Sequence, residues 1–410
     1  MSDARLARVL LYSHDTYGMG HLRRNLAIAR ELLTGGRGTR VVLASGSPVL
    51  DRVTRPAGLS CVKLPPVVKT GPDQYRSVDP RIDVSLVTRA RSAVLCDVVA
   101  RWQPDVLLVD HAPHGMRGEL LPVFETVRRR SPRTSVVLGL RDILDDPEQV
   151  RASWQAGGIY QTLQEVYDAV VVYGDRDVFD LAEAYGIPHP LAEQVSYCGY
   201  VSNPRPVAPR RPEGLNPSGD YLLGTVGGGG DGVEVLAATA HAAVAANVEA
   251  VLCTGPLMSQ QDRDWLARQT SGGPGLTVVE HLPDLAAVAA GASAVISRGG
   301  YNSLVELIGL GVPTVVVPRV WPRVEQLLRA HAFAERGLVR VVNASPESLV
   351  AEVSSAVRAV LTEAPVPRHM IDLDGARRVV QTLRRCRAIE APSAGSAPEL
   401  RSVDQDRIPA

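Results

Sequence analysis

Three glycine-bearing stretches hold the residues able to do chemistry. The first is Tyr12-Ser13-His14-Asp15-Thr16-Tyr17-Gly18-Met19-Gly20-His21-Leu22-Arg23-Arg24-Asn25, which follows an apolar run and opens a helical pattern over 22–33. Gly18 and Gly20 remove Cβ atoms where a backbone must come close to a ligand, and the helix N-terminus behind them favours an anion. His21, just after the glycines, is the candidate general base, because a neutral imidazole accepts protons near physiological pH. The bland alternative is a helix-start histidine bonded to a carbonyl. His14 and Asp15, at the strand end, are either rivals for that role or turn formers. A dinucleotide fingerprint is set aside: G-x-G-x-x-G needs glycine where Arg23 stands, and the second strand runs into Ala44-Ser45-Gly46-Ser47 with no acidic ribose ligand.

The second stretch, Gly227-Gly228-Gly229-Gly230-Asp231-Gly232, lies between a strand and an Ala-rich helix, where a flexible linker has no place. A backbone nest around phosphate oxygens is the functional reading and tight-turn packing the alternative. The third is Ser297-Arg298-Gly299-Gly300-Tyr301-Asn302-Ser303-Leu304-Val305-Glu306-Leu307-Ile308-Gly309-Leu310-Gly311-Val312-Pro313. Its glycine pair lets the chain turn from strand to helix, and Asn302 and Ser303 set polar atoms beside free N–H groups. Leu304, Leu307, Ile308 and Gly311 share a helix face, which turns Glu306 away from the sheet, where its carboxylate can accept both hydroxyls of a ribose. Downstream, Glu325-Gln326 opens another helix with a carboxylate and an amide suited to sugar hydroxyls. Asp110-His111, with His114 after it, and Arg141-Asp142 end strands on the N-terminal side; ligand contacts and turn capping are equally open to them. Three D-x-D sequences, at 175–177, 262–264 and 372–374, stand in unrelated contexts, and no metal site is expected.

The elements that must position these residues alternate along the whole chain. Strands are expected over 7–13, 39–45, 60–64, 105–109, 134–140, 168–173 and 194–198, then over 220–226, 249–253, 275–279, 293–296, 313–317 and 338–342. Helical stretches lie between them, and 346–363 and 371–388 read as helices. This is the pattern of parallel α/β layers, and apolar runs flanked by turn residues suit strands buried on both faces. At 410 residues the chain is too long for one compact core. The expected organisation is an N-terminal domain over 1–200, a Pro-rich linker over 201–219 and a second domain over 220–363. A C-terminal helix over 364–390 and a disordered tail over 391–410 complete it. With 44 Lys+Arg against 44 Asp+Glu there is no field to draw in nucleic acid. The five cysteines stand tens of residues apart and form neither a zinc pattern nor a disulfide framework. No segment reads as a signal peptide or a bilayer span, so a cytoplasmic protein is expected, with room for peripheral association at the inner face of the membrane.

The segment from Glu280 through Gln326, with RGGYNSLVELIGLGVPTVVVP at its centre, resembles the donor-binding domain of the GT-B glycosyltransferases of family 28, the MurG-like group. The likeness is strongest over 220–340. It implies an α/β fold of the GT-B type, two doubly wound Rossmann-like domains facing a central cleft. It further implies that Gly228, Gly229, Arg298, Gly299, Gly300, Asn302 and Ser303 face a diphosphate, that Glu306 holds the ribose, and that Glu325 and Gln326 hold the donor sugar. The stretch around His281-Leu282 would meet the base through its backbone. The N-terminal loop departs from the MurG pattern; its G-x-G-H-x-x-R form, Gly18, Gly20, His21 and Arg24, is similar to that of the UDP-sugar hydrolase of pseudaminic acid biosynthesis. The whole chain looks most like uncharacterised predicted glycosyltransferases with an HDTYGMGHLRR-type start.

The expected activity is inverting, metal-independent transfer of a sugar from a nucleoside diphosphate donor, UDP-linked, to a hydroxyl acceptor, with no cofactor. His21 is the expected base, and His14, Asp15, Gly18, Gly20, Arg24, Asp110 and His111 are the expected acceptor-side residues. A nucleotide-sugar hydrolase, a non-hydrolysing epimerase and a nucleotide-sugar binding protein without catalysis are the competing readings.

Overall fold

The computed structural model describes residues 8–14, 20–35, 38–71, 74–202, 208–213, 219–271, 273, 275–282, 284–362 and 371–386. Asp15, Gly18 and the segment 391–410 therefore lie outside the described residues, as do most of 201–219 and all of 364–370.

In the first half the strands are β1 (Arg8–Ser13), β2 (Arg40–Ser45), β3 (Leu59–Lys63), β4 (Val67–Gly71), β5 (Gln74–Ser77), β6 (Val106–Asp110), β7 (Ser135–Arg141), β8 (Ala169–Tyr173) and β9 (Val195–Tyr197). Seven form a parallel sheet in the order β3-β2-β1-β6-β7-β8-β9. β4 and β5 pair apart from it as an antiparallel hairpin, which no strand expectation covered: Val67-Val68 is its only consecutive apolar pair. The helices are α1 (Gly20–Thr34), α2 (Val84–Trp102), α3 (Leu121–Arg130), α4 (Pro147–Ala156), α5 (Ile159–Val166) and α6 (Leu181–Tyr185). Leu22, Leu26, Ala29 and Leu32, spaced by three and four, make the buried stripe of α1. In β1 the two faces diverge at once: Val9 and Leu11 enter one apolar core, Leu10 and Tyr12 another. That is what a parallel sheet covered on both sides requires.

The second half repeats the plan with β10 (Tyr221–Thr225), β11 (Glu249–Cys253), β12 (Leu276–Val279), β13 (Ala294–Ser297), β14 (Thr314–Val316) and β15 (Arg340–Val341), ordered β12-β11-β10-β13-β14-β15. Its helices are α7 (Val233–Ala246), α8 (Gln260–Thr270), α9 (Leu285–Gly291), α10 (Tyr301–Leu310), α11 (Glu325–Ala334), α12 (Leu349–Thr362) and α13 (Gly375–Cys386). The described part of the Pro-rich segment lies along this half: Arg210 N–H donates to Ala287 O (2.9 Å) and Arg211 sits over the Tyr221 ring.

In each sheet the strand order reverses beside the first strand, at β1/β6 and at β10/β13, and ligands of open α/β sheets bind beyond the carboxyl ends at such points. The two carboxyl edges face one another. Tyr301, at the start of α10, is buried and donates its hydroxyl to Tyr173 O at the end of β8 (2.8 Å), while Val201 N–H donates to it (3.2 Å). Asp142, after β7, receives Nε and Nη2 of Arg329 of α11 (2.9 Å each at closest), and both side chains are wholly buried. α13 returns to pack on α1 and β8, so that Val379, Val380 and Leu383 share a core with Leu26 and Leu32.

Candidate active site

The centre of the site is a carboxylate that the chain order hides. Asp110 ends β6, and His21 sits in the first turn of α1, which begins at Gly20, two residues before the expected start. His21 Nδ1 lies 2.6 Å from Asp110 Oδ2, while Arg24 Nη2 and Nε donate to Asp110 Oδ1 at 2.6 and 3.1 Å. Arg24 Nη2 also lies 2.9 Å from His21 Nδ1, but the shorter bond to a full carboxylate decides the tautomer, with Nδ1 as donor. Nε2 is then the basic nitrogen. Desolvation alone would raise the Asp110 pKa; Arg24 and His21 overcome it and hold the carboxyl well below its ordinary range. The arrangement is a histidine oriented and electrostatically supported by a buried carboxylate, as proton-abstracting sites require.

Arg24 was expected to meet the acceptor. It is instead buried, stacked 4.9 Å from the Tyr173 ring centroid and committed to Asp110, because its position one turn along α1 puts it under His21 rather than at the surface. His14 and His111 complete a cluster around His21, with ring centroids 5.1–5.8 Å apart. Desolvation, with His21 next, holds the His14 imidazole down to about 3, and desolvation together with Arg141 holds His111 well below its usual value. Both are neutral at neutral pH, and their Nδ1 atoms are buried without a partner. His111 also carries a positive φ of 71°, a strained conformation for a β-carbon residue. His114 turns away, its Nε2 lying 2.6 Å from Thr162 Oγ1. Among the described residues no three His, Cys, Asp or Glu side chains group as metal ligands would.

Across the seam, Asn302 approaches the start of α1: a Cβ on Gly20 would lie 3.0 Å from its Nδ2. Gly300 has open space where a Cβ would stand, whereas Gly299 (φ +75°) is glycine because Val316 leaves a Cβ no room. Asn302 and Ser303 are half-buried, and so is Glu306, whose carboxyl is raised by desolvation and opposed by Arg23 of α1. The first turns of α1 and α10 thus meet at one place.

The glycine loop after β10 divides. Gly228 is exposed, but Gly229 (φ +84°) is buried against the next loop, and a Cβ there would fall 2.0 Å from Thr254 O. Its missing side chain serves that close packing rather than a ligand. Gly232, which sequence reasoning passed over, makes room for Arg298: a Cβ would meet Arg298 Nε at 2.8 Å. The Arg298 guanidinium points to the acidic start of α7, at 3.0 Å from Glu234 Oε1 and 3.9 Å from Asp231 Oδ2. Arg319, also unanticipated, donates Nη2 to Glu325 Oε1 (3.0 Å) and its backbone N–H to Gln326 Oε1 (3.1 Å). Glu325 Oε2 is left buried and unpartnered. His281-Leu282 follows β12 at the same carboxyl edge.

Residues 225–382 match the model of the glycosyltransferase family 28 C-terminal domain. Solved structures with the same overall fold include the calicheamicin glycosyltransferase CalG4 (18% identity, 92% of this chain and 93% of that one, TM-score 0.58). MurG of Acinetobacter baumannii is another (16%, 92% and 99%, 0.59), as is a UDP-glucosyltransferase from Polygonum tinctorium capable of glucosylating indoxyl (16%, 94% and 94%, 0.61). No curated protein matches the chain.

Proposed function

From a chain of GT-B fold whose residues 225–382 match the glycosyltransferase family 28 C-terminal domain, we propose inverting, metal-independent transfer of a sugar from a UDP-linked donor to a hydroxyl acceptor. The observation that carries this is the His21–Asp110 pair at 2.6 Å, set at the same seam as the start of α10. Nε2 of His21 takes the proton of the acceptor hydroxyl as its oxygen attacks the anomeric carbon from the face opposite the diphosphate. That displacement forms one glycosidic bond, breaks the bond to the leaving phosphate and inverts the centre.

The leaving diphosphate is stabilised by the first-turn N–H groups around Gly300, Asn302 and Ser303, with exposed Gly228 beside them and the Arg298 cation behind. Glu306, half-buried on α10, holds the ribose hydroxyls. Glu325 Oε2 and the Gln326 amide nitrogen, left over from holding the Arg319 loop, receive the sugar. No helix among the described residues is long and apolar enough to cross a membrane. Exposed Val78, Ile82 and Leu86 form an apolar patch that supports peripheral contact with the inner face of a membrane.

His21→Ala is expected to lower turnover by about 10²–10⁴-fold while UDP affinity, read by calorimetry, stays within about threefold. Near-normal turnover in that variant removes His21 from the mechanism. Donor consumption at full rate in water alone, with no acceptor present, would convert the assignment to hydrolysis.

A further inference from the structure

Arg141 ends β7, one strand beyond Asp110, and has no anion of its own among the described residues. Of the two carboxylates near it, Asp142 receives Arg329 and Glu325 receives Arg319. Among the described residues its Nε is buried without a hydrogen-bond partner, and no ion pair to another described residue engages its guanidinium. Arg24 and Arg329 bring two further cations close, so burial and like charge together push the Arg141 pKa down to about 10. On the neighbouring strand end stands His111, whose backbone N–H bonds Gly139 O (2.8 Å) and whose Nδ1 is the second buried atom without a partner. An unused guanidinium donor and an unsatisfied ring nitrogen therefore stand at neighbouring strand ends, on the same half as the proposed base. Buried donors without acceptors destabilise a fold, and positive charge concentrated beside them makes an oxyanion the group that completes them.

We propose that Arg141, assisted by His111, binds an oxyanion, phosphoryl or carboxylate, carried by the acceptor close to the hydroxyl that reacts. The proposal rests on the transferase reading and extends it: the acceptor is an acidic hydroxyl compound, and Arg141 decides its selection. The donor diphosphate, gripped at α10, is a separate group.

The test uses full-length protein and thermal melting. Wild type is saturated with UDP, and inorganic phosphate is then titrated, with acetate in a parallel series to separate the two classes of oxyanion. Phosphate or acetate is expected to raise Tm in the presence of UDP, and Arg141→Gln to abolish that rise while UDP affinity stays within threefold. Arg141→Lys, which keeps the charge, should retain part of it. Unliganded Arg141→Gln should melt at or above wild type, since an unpaired buried charge has been removed; a lower Tm would mark a purely structural arginine and overturn the proposal. It is equally overturned if neither anion shifts the wild type, if the variant responds as the wild type does, or if the variant loses UDP. Failure of wild type to bind UDP would instead sink the transferase reading, and the anion titration without UDP would still decide Arg141.

Discussion

Asp110 serves two side chains that are 89 and 86 residues away in sequence, and its loss should separate chemistry from stability. His21→Gln removes a base and leaves the Arg24 pair intact, so stability should barely move. Asp110→Asn should lower turnover by at least about 10²-fold and also cost about 3–5 kcal/mol, since Arg24 is left buried and charged. Urea denaturation of both variants checks this, and equal stabilities would mean Arg24 finds another partner. His14 and His111 set the pH response. Their folded pKa values are depressed, so below about 6.5 the unfolded chain takes up protons that the folded chain refuses. Stability is complete above that pH and falls as pH drops toward 3, by up to about 1.4 kcal/mol per unit for each histidine. Denaturation series between pH 7.5 and 5 should show this slope, and His14→Gln should reduce it. Gly18, Gly20 and His21 are legible because they stand within four residues of one another. The His21–Asp110 bond is not, because no local pattern says which strand-end acid faces which helix.

At the scale of elements, the strands stand out in the sequence because each buried run is apolar throughout; the thirteen strands of the two parallel sheets follow the expected ranges. The β4–β5 hairpin escaped notice for the opposite reason: Lys69, Gln74 and Arg76 break up its apolar residues, leaving only Val67 and Tyr75 to pack beside Val87 and Met116. The glycine loop after β10 shows that composition leaves function open. Gly229→Ala meets a backbone oxygen at positive φ and should cost at least about 2 kcal/mol, whereas Gly227→Ala, with empty space around its Cβ position, should cost only about 1 kcal/mol for its φ of 65°. Melting of the two variants decides the matter; similar losses would mean the loop is free to adjust.

At the scale of the molecule, the two halves are joined by more than a shared groove. Arg329→Met would leave Asp142 ionised and buried, at a cost of about 3–5 kcal/mol, and should loosen the seam. Limited proteolysis at the Pro-rich connection is expected to run faster in that variant, and an unchanged digestion rate would show that the Tyr301–Tyr173 contact suffices. This pairing crosses 187 residues and lies beyond sequence periodicity. The return of α13 to α1 has an effect on biosynthesis. As the chain leaves the ribosome, Leu26 and Leu32 emerge hundreds of residues before Val379 and Leu383 can cover them. The first half must wait with an uncovered apolar seam until α13 has been made, which makes that seam the natural place for a chaperone to hold.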